Sequence, residues 1–236
     1  MKLATLVLTS ILLSTSSAAF AADKNDKNSF DFFVWGKNVG TTSYSLDRSK
    51  GATKVSSRVD RHDYPVPMTE EFRIGSDGFV TSGLVTRPND QYMAVYNPDK
   101  QHTKVDVLPT RKGEGQPSLT WNMPRPDFLM GLMEDSATWQ MLMDAVTAHP
   151  HADNVYPLLI VGENNVDRDR MEPGRLAAPT DSKGTLDGKP VALRHYVYTL
   201  SKGPVDIYVD ADGKLMQAEV AGYGYKHVRA NFSLVN

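Results

Sequence analysis

A mainly β fold, with an antiparallel meander forming a bent sheet or incomplete barrel around one helical segment, follows from three features of this sequence. Short runs of alternating apolar and polar residues recur through most of its 236 residues, the period expected of half-buried strands. Gly, Pro, Asp and Asn punctuate those runs at turn spacing. Only one stretch, Pro124 to His149, carries a helical period.

The elements follow in chain order. Phe30 to Trp35 reads as a strand, and Gly36-Lys37-Asn38-Val39-Gly40 as the turn into Thr41 to Asp47. Lys54 to Arg61 alternates until Tyr64-Pro65-Val66-Pro67 interrupts it, because proline cannot donate to a ladder. Glu71 to Ile74 and Phe79 to Thr86 flank Ser76-Asp77-Gly78, a hairpin turn. Gln91 to Tyr96 and Thr103 to Leu108 pair across Asn97-Pro98-Asp99-Lys100, giving a meander of about seven strands.

The helical segment lies near 127–148. Asp135 or Ser136 caps a helix in which Trp139, Leu142, Met143 and Val146 fall at i, i+3, i+4 and i+7. Asp127 to Met133 is expected to form a short helix or 3₁₀ turn before it. His149-Pro150 ends the helix, since the residue before proline avoids the helical region. Tyr156 to Val161, continuously apolar, suits a central strand, and Glu163 to Leu186 reads as loop-rich. Val191 to Leu200, Pro204 to Val209, Lys214 to Val220 and Lys226 to Leu234 complete the chain, turning at Ser201-Lys202-Gly203 and Ala211-Asp212-Gly213. The two Asp-Gly hairpins share the pattern hydrophobic-x-hydrophobic-x-x-Asp-Gly, at Phe72 to Gly78 and Ile207 to Gly213. Similar turn physics accounts for that echo; two related half-sheets joined by the helix are the alternative.

Residues 1–21 read as a signal peptide. Lys2 is followed by an apolar run from Leu3 to Leu13, and Ala19-Phe20-Ala21 is the small-x-small pattern that a signal peptidase cuts. Residues 22–29 form a flexible leader, and 30–236 a single β-rich domain. Export places the chain in the periplasm of a Gram-negative cell, or otherwise outside the cell. No later run reaches the roughly 18 apolar residues of a membrane span.

Composition narrows the chemistry. A net charge of −2 gives no basic footprint for nucleic acid. The absence of cysteine excludes a disulfide frame, a thiolate nucleophile and a zinc ribbon. No Gly-x-Ser-x-Gly elbow, His-Glu-x-x-His or phosphate loop occurs. Glu70 and Glu71 point to opposite faces of a strand, so they form no acid/base dyad with each other. Asp210, Asp212, Gly213 and Glu219 match part of a calcium loop, but Tyr208 occupies its first position. His149 and His151, beyond a methionine-rich stretch, have the ligand types of a copper site. Core packing explains the methionines without metal, and neither a cofactor nor a metal is expected.

That stretch carries the candidate site. Trp121, Phe128, Leu132, Met133, Trp139 and Met143 supply an adaptable apolar wall between sheet and helix for a hydrophobic ligand such as a lipid. The same face would serve a helix that merely plugs the open side of the sheet.

The Gly36-Lys37-x-Val39-Gly40 opening, the aromatic-rich strands, the Asp-Gly hairpins and the single Met/Trp-bearing helical segment resemble the half-barrel of LolA-type lipoprotein carriers and related exported bacterial β-rich proteins. The resemblance is architectural, spans most of the mature chain and transfers no individual residue. It implies that an acyl chain or other apolar molecule binds between sheet and helix, without catalysis. The leading expectation is thus a non-catalytic envelope carrier or sensor. A structural or protein-interaction module, using a sheet edge or the segment Glu163 to Thr180 to hold an envelope partner, is the alternative. A hydrolase assembled from distant residues is the third reading.

Overall fold

The computed structural model describes residues 26–49, 51–76, 78–88, 90–97, 102–109, 119–123, 128–161 and 170–235. The expected signal peptide and the turn at 98–100 lie outside them. Seventeen strands and one α-helix occur among the described residues. They build one large bent sheet that does not close into a barrel.

The first wing is a meander in chain order: β1 (Asp26–Val34), β2 (Lys37–Ser49), β3 (Ala52–Arg61), β4 (Met68–Ile74), β5 (Val80–Thr86), β6 (Asp90–Asn97), β7 (His102–Pro109) and β8 (Leu119–Met123). Each strand pairs antiparallel with the next. Alternation sends Tyr44, Leu46, Val55, Val59, Met68 and Phe72 into the core, while Thr41, Arg58 and Glu71 face water.

The chain then turns inward. β9 (Leu129–Gly131) is followed by α1 (Ser136–Ala148) and β10 (Val155–Ile160), and β9 runs parallel to β10. Asp127 to Met133 was expected to be helical; its described part instead contains β9. The cause is burial: every residue from Phe128 to Met143 is buried, and an apolar run buried on all sides has no period to separate strand from helix.

The second wing comprises β11 (Arg170–Leu176), β12 (Thr180–Leu186), β13 (Lys189–Leu200), β14 (Gly203–Asp210), β15 (Leu215–Val220), β16 (Tyr225–Arg229) and β17 (Phe232–Leu234). β16 pairs with β1 and joins the wings. The stretch Glu163 to Leu186, read as loop, thus holds two strands. β12 is polar and buries only Gly184, so it offers no alternation to read. Lys226 to Leu234 divides in two at Asn231, whose φ of +63° makes the turn.

Trp35, expected to end the first strand, instead occupies a turn with Gly36, at φ +50° and +78°. The echoed hairpins do adopt one geometry. Gly78 N–H bonds Gly75 O, and Gly213 N–H bonds Asp210 O, each at 3.0 Å. Both ladders also shift register just before the turn, at Arg73/Ile74 and at Tyr208/Val209. Among the described residues no helix is long and apolar enough to cross a membrane.

Candidate functional site

α1 enters the concave side of the sheet on a polar seam. Asp135 is its N-cap: Oδ1 accepts from Ala137 N–H at 2.9 Å, and Oδ2 accepts from Ser57 Oγ of β3 at 2.5 Å. The Thr42 hydroxyl donates to Ser136 Oγ at 2.8 Å. Leu132 N–H donates to Glu70 Oε1 of β4 at 2.6 Å. Thr138 Oγ1 returns to Leu132 O at 2.9 Å, across Gly131, where a Cβ would stand 2.2 Å from that hydroxyl. One turn later Gln140 Oε1 accepts from Tyr44 and from Leu215 N–H, while Nε2 donates to Asp144 and to Gly213 O.

Glu70 and Asp135 are both 0% exposed. Burial, reinforced by the charge of Asp135 beside it, pushes the Glu70 carboxyl well above the usual range. Burial also raises Asp135 to about 6, although the Ser57 hydroxyl, Ala137 N–H and Glu70 all favour its charged form. Glu70 is therefore the protonated member of the pair, beside an Asp135 that ionises first. Beside them burial lowers the Arg61 guanidinium, but its bond to Asp63 and the charges of Tyr64, Asp63 and Glu134 outweigh this and raise it. His227 is stacked on Phe32 with centroids 4.8 Å apart, and burial lowers it to about 4. Its Nε2 lies 3.3 Å from Met133 O, so the neutral Nε2–H form donates there. Sealed from solvent, the carboxyl pair can hold a proton and anchor the helix, but it does not meet a solute.

Sequence reasoning weighed Glu70 only against Glu71, set them on opposite faces of a strand, and missed the proximity of Glu70 to Asp135. A signal was present: Glu70 shares the phase of Met68, Phe72 and Ile74, the core face of β4.

Of the expected ligand wall, Phe128, Leu132, Met133, Trp139 and Met143 are buried in one cluster with the sheet. Their side chains are closed to solvent in this structure. Trp121 lies opposite Val105 in the ladder of β7 and β8, and only its backbone is described.

Space opens at the other end of the helix. A cleft of about 410 Å³ lies between α1 and three hairpins. Asp144, Thr147 and Ala148 form its helical side; Arg48 with Gly51, Ala52 and Thr53, Ile74 to Ser76 with Gly78, and Asp212-Gly213 form the sheet side. The twin Asp-Gly hairpins thus stand on either side of α1. Gly78 allows this approach, since a Cβ there would come within 3.0 Å of His149. Arg48 and Asp144 pair at 3.1 Å over the mouth.

The other candidates have structural occupations. His149 Nε2 bonds Ser76 O at 2.9 Å and His151 Nδ1 bonds Val155 O at 2.8 Å. Asp210 Oδ1 accepts from Asp212 N–H and Lys214 N–H, closing its own turn. Glu219 pairs with Asp206 in the ladder, away from that turn, and meets Lys226 at 3.3 Å. A calcium loop needs these carboxylates to converge, and they do not. Among the described residues no group of three or more His, Asp or Glu could hold a metal ion. Comparisons with protein-family models, with curated proteins and with solved structures gave no match to this chain, so the reading of its site stands on its own residues.

Proposed function

We propose that this chain is an exported, non-catalytic carrier or sensor of the cell envelope that binds a hydrophobic ligand, such as a lipid acyl chain, between sheet and helix. The observation that carries the reading is the 410 Å³ cleft between the exposed end of α1 and the sheet rim, within the roughly 300–1,000 Å³ of small-molecule sites. Ile74, Ala52 and Ala148 offer apolar contact, and Arg48, Asp144 and Asp212 offer polar contact at the mouth. The amphiphilic lining suits a chain with a polar head. The signal-like residues 1–21 and the half-barrel likeness to LolA-type carriers support the same reading, with the periplasm as its site in a Gram-negative cell. Trp139, Leu142 and Met143 lie deeper along the helix and would be reached by a ligand that levers the Ala148 end outward.

Native mass spectrometry of the mature protein from its own periplasm, repeated after incubation with palmitate and with phosphatidylglycerol, tests this. A stoichiometric adduct is expected, and Ala148→Trp, which fills the cleft from an exposed position, should abolish it without lowering the melting temperature. A clean apo mass under every condition would contradict the carrier reading.

A second reading has one specific observation behind it. Among the described residues the ladder register of β8 is with β7, and an uncovered edge is a template for a partner strand. Capture of an envelope protein that is lost when proline replaces Thr120, with a clean apo mass, would favour that interaction module.

A further inference from the structure

At the end of the sheet opposite the cleft, three connections converge: the Trp35-Gly36 turn, the loop His62 to Pro67 and the 3₁₀ turn Ala221–Tyr223. Trp35 N–H donates to Gly224 O at 2.7 Å, and His62 N–H to Val39 O at 2.8 Å, so the three form one rim. Trp35 is 75% exposed and Val66, between two prolines, is 49% exposed.

The Trp35 conformation is informative. A two-residue turn with φ positive at both positions is the place for Asn-Gly or Asp-Gly. A tryptophan gains nothing there locally, and its backbone is held in a region that side chains avoid. Nor does the ring swing freely. It lies against Gly224, where a Cβ would stand 2.3 Å from the indole. The indole is thus held at a fixed attitude with most of its surface in water.

The charges on the rim are unbalanced. Asp63 is bound by Arg61 at 2.7 Å, Asp60 by Arg58 at 2.6 Å, and Asp90 lies 3.8 Å from Arg87. Glu172 is buried beneath Ser201, accepting from its N–H and hydroxyl. Exposed Lys37 and Lys202 remain, the latter with its ammonium 4.4 Å above the Tyr223 ring. The rim therefore presents two apolar tips between cations.

We propose that the Trp35–Val66 rim docks on an anionic lipid surface, with the indole seated at headgroup level and Lys37 and Lys202 over lipid phosphates. Tryptophan, with an apolar body and one N–H, suits that boundary, and basic residues near the surface add attraction to anionic lipid. A protein partner fits less well, because stable interfaces bury about 800 Å² on each side around a packed apolar centre, and this rim offers separate loop tips. The inference does not depend on the cleft being filled.

The test is co-sedimentation of the mature protein with vesicles of phosphatidylglycerol and phosphatidylcholine in equal parts, and with pure phosphatidylcholine. Wild type should bind the anionic vesicles, more weakly in high salt, and the neutral ones less. Trp35→Asn should weaken binding at least tenfold. Because asparagine suits the turn, that variant should melt no lower than wild type, which separates lost docking from lost fold. Lys37→Glu with Lys202→Glu should abolish the preference for anionic lipid, while Ala148→Trp should bind vesicles normally. No binding by wild type, or equal binding by Trp35→Asn, would overturn the proposal. So would capture of an envelope protein through Trp35 without any vesicle binding.

Discussion

The two ends of α1 are held in opposite ways. At the Ser136 end, the cap, the seam to β2 and β3, and the carboxyl pair with β4 are wholly buried; both Asp135 oxygens, the Thr42 and Ser57 hydroxyls and Glu70 Oε1 have partners, and Glu70 Oε2 has none among the described residues. At the Ala148 end, Thr147 and Ala148 are exposed, and the ties to the sheet are an ion pair whose Arg48 side chain is 36% exposed and one solvent-facing bond between His149 at the C-cap and Ser76 O. Buried hydrogen bonds to charged groups contribute about 1.5–3 kcal/mol each, whereas exposed ion pairs contribute about 0–1 kcal/mol. The helix is therefore fixed at its start and loosely held at its finish. A plug built this way yields from one side only, the side where the cleft lies.

The largest expected effect tests whether the middle of the helix belongs to the fixed end. Trp139→Ala should cost roughly 3–5 kcal/mol in denaturant titrations, because it opens a cavity in a core the ring fills completely. A cost under 1 kcal/mol would place Trp139 on the yielding side.

The carboxyl pair gives the next effect, through pH. Asp135 and Glu70 have folded-state values above their unfolded ones. The folded state therefore binds more protons than the unfolded one, and stability falls as pH rises from about 4 through 6. For Asp135, held at about 6, the loss is on the order of 3 kcal/mol. His227 acts in the opposite sense. Lowered to about 4, it is neutral when folded and charged when unfolded between roughly pH 4 and 6.5, so its destabilising effect grows as pH falls through that window. The two slopes oppose each other in wild type. Asp135→Asn keeps a capping side chain and removes one slope, so its stability relative to wild type should improve from pH 4 to pH 7. A constant difference across that range would remove the raised Asp135 carboxyl from the account.

A smaller effect isolates one bond of the anchor. Ser57→Ala leaves an Asp135 oxygen without its donor and should cost roughly 1–3 kcal/mol. At the other end Ala148→Trp should change stability by no more than about 0.5 kcal/mol, the usual range for exposed positions. Equal costs at both ends would erase the contrast.

What the sequence disclosed follows the same division. β2 to β6 were legible because each lies between water and core, so its side chains alternate. The cap was legible as Asp135 or Ser136 because capping is local chemistry, and Asp135 fills it. β9 was not, because burial on every side removes the period. β12 was not, because it is polar up to Leu186 at its end. The proximity of Glu70 to Asp135 joins residues 65 positions apart in sequence; only the phase of Glu70 within β4 hinted that a carboxyl faced inward. The cleft could not be read at all, since it is made by three hairpins meeting a helix end. Trp35 misled for a physical reason: an aromatic after Phe32-Phe33-Val34 reads as strand, and only the glycine after it marks the turn.

Native-state hydrogen exchange resolved along α1 tests the central contrast most directly. Amides from Trp139 to Met143 should exchange only through global unfolding, while those of Val146 to Ala148 should open at much lower free energy. Uniform protection along the helix, or an Ala148 end protected as strongly as the middle, would contradict a plug that is anchored at one end and yields at the other.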